Sequence, residues 1–237
     1  MSSTPSVQPV KPGIWENINE IKDSVFVPAA IEFLRLLPDG IVLGTGILSL
    51  LSFCKSYCFL LVTMFELMFI QRILASVIGS ISPVGLGPNA NTSICQNGFM
   101  FPNNMRISLI ETLGTPSYFP SPTMFFMSGV LSYMIGCVSE FKNEVLTLGG
   151  ELSSRTTAAV ALSSMFLFFL FAFRYNYGCE AFGTLILSVV FGCIAGYIII
   201  YQNKALFGRD SVNLLNLPMI VSAAEMGKPV YVCATSK

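Results

Sequence analysis

The 237-residue chain contains no histidine. Histidine is the commonest general base and a frequent metal ligand. Its absence excludes Ser-His hydrolases, His-ligated zinc proteases, haem sites with a His ligand and phosphohistidine chemistry. Charge is the second scarcity: only 11% of residues are Asp, Glu, Lys or Arg, against roughly a quarter in an ordinary soluble domain. The 13 basic and 13 acidic side chains cancel, which leaves no positive field for gripping a nucleic-acid backbone. No GxxxxGK[ST] is present, and GLGPNA at Gly85–Ala90 lacks the preceding strand and following helix that a dinucleotide fingerprint needs. The expectation is a protein that is not an enzyme, takes no cofactor or metal, and binds no nucleic acid.

Apolar residues are what the chain has in excess: 53% of it is hydrophobic, with 20 Phe and a mean hydropathy of +0.69. This composition points to lipid as the solvent for much of the chain. The expected fold class is an all-α integral membrane protein, with about four transmembrane helices, an N-terminal amphipathic helix and a small C-terminal tail.

Residues 1–14 are polar, carry three prolines and lack the layout of a signal peptide; they read as an extended arm. Over 15–37, apolar residues recur near helical spacing between Glu16, Glu20, Lys22, Asp23, Glu32 and Arg35, an amphipathic helix that Pro28 would kink or divide. Residues 41–81 form one apolar stretch, long enough in principle for two crossings. No Gly, Pro or Asn stands near its midpoint at Leu61, so one long first membrane helix is expected. A structured non-cytoplasmic connection fills 82–121, three further membrane helices fill 122–201, and the first of these, from Pro122, is the weakest. The tail, 202–237, ends in two short apolar runs around EMGKP, a possible hairpin.

With four crossings, ten of the 13 Lys and Arg share a face with both termini, while Arg72, Arg106 and Arg174 lie on the other. The positive-inside rule then places both termini in the cytoplasm. Cys95 and Cys179 fall together on the non-cytoplasmic face, as a disulfide or as two free thiols. Asn91 begins an Asn-Thr-Ser glycosylation triplet on the same face. Cys54, Cys58, Cys137 and Cys193 read as small packing residues. Gly192 and Gly196, and the stripe Ser128, Ser132 and Gly136, have the small-residue spacing of helix contacts, with a neighbouring helix or another copy of the chain as the partner. Glu66 is the one acid deep in an apolar run. It is either a proton or cation site, with Lys55 or Arg72 as its partner, or a solvated group on a projecting helix.

FGRDSVNLLNLPMI followed by GKPVYVC, within Leu206–Cys233, resembles the C-terminal end of small multi-pass membrane proteins of large icosahedral DNA viruses, especially those of algae. The resemblance implies a structural virion protein in the inner viral membrane, derived from a host membrane, beneath a capsid of double-jelly-roll proteins. It would be a minor capsid component whose partners are the bilayer, other capsid and minor capsid proteins, and copies of itself. Aromatic residues often anchor interfaces, so Trp15, Phe26, Tyr118 and Phe119 are the expected contacts. The rivals are a small transporter or channel centred on Glu66, and a cellular four-span scaffold of the tetraspanin or claudin sort, whose paired-cysteine loop motifs are missing here.

Overall fold

A computed structural model describes residues 22–52, 55–81, 92–95, 118–147 and 150–214. After a wide turn at Lys22–Phe26, the helices are α1 (Val27–Ser52), α2 (Lys55–Ile81), the short α3 (Thr92–Cys95), α4 (Pro122–Glu140), the short α5 (Lys142–Thr147), α6 (Gly150–Asn176) and α7 (Phe182–Phe207), followed by a 3₁₀ turn at Arg209–Val212. No strand occurs among the described residues. Among the described residues five helices are long and apolar enough to cross a membrane: α1, α2, α4, α6 and α7.

The first apolar stretch departs from the expectation. Instead of one helix over 41–81, the structure has two, ending at Ser52 and starting at Lys55. Nine residues along a straight helix rise about 13 Å, yet Ser49 Oγ and Cys58 Sγ are 2.8 Å apart, so the chain doubles back between them. The physical reason is length. The expected amphipathic segment 15–37 does not stand apart, since from Val27 onward it is the first half of α1. Once that half is added, each helix of the pair is long enough to cross without a turn at Leu61. Pro28 stands directly after the wide turn, at the second position of α1, and Pro38 is carried inside the helix. The proposed arm and residues 15–21 lie outside the described residues, as do most of the connection and the tail hairpin.

The helix expected to be weakest is the hub. Pro122 opens α4 at a position that suits its ring, and every residue from Ser121 to Val130 is buried. Contacts between α4 and α7 pair Ser121 with Ser188, Ser132 with Cys193 and Glu140 with Lys204. The pairs climb together along both helices, so α4 and α7 run parallel. Contacts of α2 with α7 run the other way, from Phe59 at Phe207 to Thr63 at Asn203. The core therefore sits where α2 passes antiparallel to the α4–α7 pair, around Met64, Leu67, Met124, Phe125, Phe126 and Tyr133. α6 begins at Gly150 rather than Thr156 and supplies the return from the end of α4 to the start of α7; most of it faces outward.

Glycines set the α4–α7 distance. A methyl on Gly192 would meet the Ser128 hydroxyl and the Phe125 carbonyl, and one on Gly196 would meet the Gly129 carbonyl. Gly40 and Gly44 on α1 have open space instead. We expect Gly196→Ala to destabilise the fold by about 1–3 kcal/mol through overpacking, whereas Gly44→Ala is neutral or stabilising by up to about 1 kcal/mol through helix propensity. Unfolding of both variants in detergent micelles would check the contrast, and equal losses would contradict it.

Candidate functional site

Polar groups gather at the two ends of the bundle. At the first end, Gly178 takes φ 64° after α6. Its N–H bonds the Tyr175 carbonyl at 3.0 Å while the Cys179 N–H bonds the Arg174 carbonyl at 3.0 Å, the Schellman pattern that a positive-φ glycine makes accessible. The turn folds Cys179 and Glu180 back over the helix they have just left. Arg174 Nε and Nη2 then donate to Glu180 Oε2 and Oε1 at 3.0 and 2.6 Å, with both side chains about 5% exposed or less. Over this forked ion pair, Cys179 is bonded to Cys95 of α3, with an S–S distance of 2.05 Å. The two cysteines singled out in the sequence are thus brought together; Asn91 lies outside the described residues.

One layer deeper, Gln71 Nε2 of α2 donates to the Pro120 carbonyl at 2.8 Å, and the Ser121 N–H donates to Ser188 Oγ of α7 at 2.8 Å. Beside this corner Phe119 packs edge-on against Phe191, ring centroids 6.1 Å apart. Phe119, one of the aromatic residues expected to contact a partner, is buried: its ring goes into the bundle. Tyr118 is half-buried, Phe26 is exposed, and Trp15 lies outside the described residues.

At the opposite end, Asn203 Nδ2 of α7 donates to Thr63 Oγ1 at 3.1 Å and to Tyr133 OH at 3.2 Å, tying α2, α4 and α7 with three buried side chains. Ser211 of the 3₁₀ turn donates to the Asn203 carbonyl at 3.1 Å, so the chain after α7 is folded back beneath the bundle. At the rim, Lys204 Nζ and Arg209 Nε donate to the two oxygens of Glu140 at 2.7 and 3.2 Å. Arg209 also lies over the Phe141 ring, 4.7 Å from its centroid.

Glu66 lies on the flank, half-buried. Gln202 Nε2 donates to its Oε1 at 3.3 Å, and its Oε2 is buried with no hydrogen-bond partner. The hydrogen-bond donor beside it is thus an amide on α7; Lys55 stands exposed three turns away at the start of α2. Among the described residues no group of three or more His, Cys, Asp or Glu comes together to hold a metal. The small residues Ser128, Ser132, Gly136, Gly192 and Gly196 all meet neighbours within the chain: Ser132 Oγ donates to the Cys193 carbonyl at 2.9 Å, and Gly136 abuts the Ile200 side chain.

Sequence inspection missed Gln71, Asn203 and the Arg174–Glu180 and Glu140–Lys204 pairs. Two signals were present. Thr63, Leu67 and Gln71 are spaced by four on one face of a helix, and YGCE after an arginine has a glycine where a helix turns back. No known protein family, curated protein or solved structure matches the chain.

Removing one partner of a buried ion pair leaves an uncompensated charge. Glu180→Ala is therefore expected to cost about 3–5 kcal/mol, against about 1–3 kcal/mol for Asn203→Leu, which strands two hydroxyls. Chemical unfolding in micelles measures both. In the chain-entropy account, a bond spanning 84 residues contributes about 4–5 kcal/mol. Cys95→Ser should remove that and slow migration on a non-reducing gel to the position of the reduced chain.

Proposed function

We propose that the chain is a structural multi-pass membrane protein of a large DNA virus, a minor capsid component linking the inner viral membrane to the capsid shell. The observation that carries the structural half is the filling of the bundle. Met64, Leu67, Met124, Phe125, Phe126 and Tyr133 are fully buried where the helices cross, and the ion pairs Arg174–Glu180 and Glu140–Lys204 stand at the two ends. Such an interior suits anchorage. The viral half rests on the resemblance of Leu206–Cys233, of which the part to Leu214 is folded back beneath α2 and α7.

In this proposal all five apolar helices cross. The Cys95–Cys179 bond then marks the oxidising face, and the N-terminal residues emerge on that face. The C-terminal residues emerge on the other, together with Lys55, Lys142 and Arg155. Seven of the 13 Lys and Arg fall on the C-terminal face, a smaller excess than four crossings give but of the same sign. The four-crossing alternative puts both termini in the cytoplasm. Protease-protection of epitope tags at each end in sealed vesicles separates the two: five crossings predict one protected tag, and protection or digestion of both tags contradicts them.

A second function is favoured by the orphaned Oε2 of Glu66 beside Gln202: a small proton or cation transporter. The two diverge in reconstituted vesicles and in virus particles. For the structural protein, Glu66→Gln leaves ion permeability unchanged, and quantitative mass spectrometry finds the chain in detergent-stripped particles in fixed stoichiometry with the capsid. A flux that Glu66→Gln abolishes, with the chain missing from particles, would replace the structural role by transport.

A further inference from the structure

We propose that the corner between Gln71 and Ser121 is a binding site for a single ordered water. Three elements meet there: Gln71 on α2, Ser121 at the entry to α4, and Ser188 on α7. All three side chains are about 1% exposed or less. Most of their hydrogen-bonding capacity is used. Gln71 Nε2 donates to the Pro120 carbonyl, the Ser121 N–H donates to Ser188 Oγ, and Ser188 Oγ donates to the Thr184 carbonyl at 2.7 Å. The first of these fixes the Gln71 amide, because the flipped amide would set its oxygen against the Pro120 oxygen.

Two atoms remain. Gln71 Oε1 and Ser121 Oγ are each buried without a hydrogen-bond partner, and both side chains sit at the same peptide, the one joining Pro120 to Ser121. Buried polar atoms at this depth are ordinarily satisfied by protein or by water. The amide oxygen only accepts, while the hydroxyl both donates and accepts. Water matches that pair: one O–H donates to Gln71 Oε1, and the Ser121 hydroxyl donates to the water oxygen, which gives the two partners an internal water needs. A cation fits less well, since hard cations take about six or more oxygen ligands and only two oxygens remain without a partner at the corner. The site also ends where it begins. One helical turn away on α2 stands Leu67, fully buried in the apolar core, so hydrocarbon closes the corner on that side and no file of waters runs past it along α2.

The test is an electron-microscopy map of the full chain in lipid nanodiscs, at a resolution that shows ordered water, for the wild type and for Ser121→Ala. The expected wild-type map has one peak within hydrogen-bond distance of Gln71 Oε1 and Ser121 Oγ, and S121A loses that peak while keeping the Gln71–Pro120 contact. A wild-type map with nothing at the position, or with Ser121 Oγ bonded directly to Gln71 Oε1, overturns the proposal. So does a peak that persists undiminished in S121A. If that variant fails to fold, the wild type still decides: the peak is expected to keep its height when Na⁺ in the buffer is replaced by Rb⁺, and growth of the peak would identify an ion instead.

Discussion

Two apolar helices in lipid gain little by burying their side chains against each other, because hydrocarbon already surrounds them. What holds them is close packing of backbones and the polar contacts that closeness permits. In this bundle that closeness comes from Gly192 and Gly196 of α7 lying against Ser128 and Gly129 of α4. The parallel register it imposes places every other junction. Ser121 reaches Ser188 above the contact, and Glu140 reaches Lys204 below it. A bulkier residue at Gly192 would part the helices and pull both ends of the ladder out of reach. The parallel pair also demands a return helix, which explains why α6 is so little buried: its task in the fold is connection, and only one face of it needs a protein neighbour.

The distribution of charge follows from the same solvent. A forked Arg174–Glu180 pair is tolerable because guanidinium and carboxylate satisfy each other and sit at the end of α6, under a turn that the disulfide holds down. Glu140 is shared by two cations at the other rim. One layer inside each of these rims the helices are joined through neutral groups, Asn203 with Thr63 and Tyr133 at one end and Gln71 with the Pro120 carbonyl at the other. Neutral hydrogen bonds can be buried where an unpaired charge cannot. Among the described residues, Glu66 and Asp39 are acids outside this pattern: Glu66 sits on the flank, half-buried beside Gln202, and Asp39 is buried midway along α1.

Composition was enough to read the all-helical, membrane-type fold, and compartment logic was enough to single out Cys95 and Cys179. Small-residue spacing also marked Gly192, Gly196, Ser128, Ser132 and Gly136. What could not be read was partnership. Pro122–Glu140 looked weak because it is the least hydropathic of the five. That is what a helix enclosed by protein can afford, since protein neighbours satisfy its serines and threonines while lipid would not. The hairpin between α1 and α2 was hidden for a related reason. Glu32 and Arg35 made the first half of α1 look like part of a surface helix, yet Glu32 pairs with Arg35 at 2.8 Å, and Pro38 and Asp39 just beyond them are buried. Periodicity reports the polarity of a face; it does not report what covers that face.

The number of crossings changes some relations and leaves others untouched, and the difference is one of parity. Cys95 and Cys179 are separated by α4 and α6, an even number of long helices, so they share a face however the segment before them is threaded. Ser49 of α1 and Cys58 of α2 likewise stay together, 2.8 Å apart, whichever way the pair is threaded. The N-terminus is different, because adding α1 to the crossings moves it across the membrane with respect to every later segment. In the proposed topology the disulfide therefore orients the last four long helices independently of the first. The compartment of whatever precedes α1 depends on whether α1, with Asp39 buried and Gly40 and Gly44 open to its surroundings, passes through the bilayer.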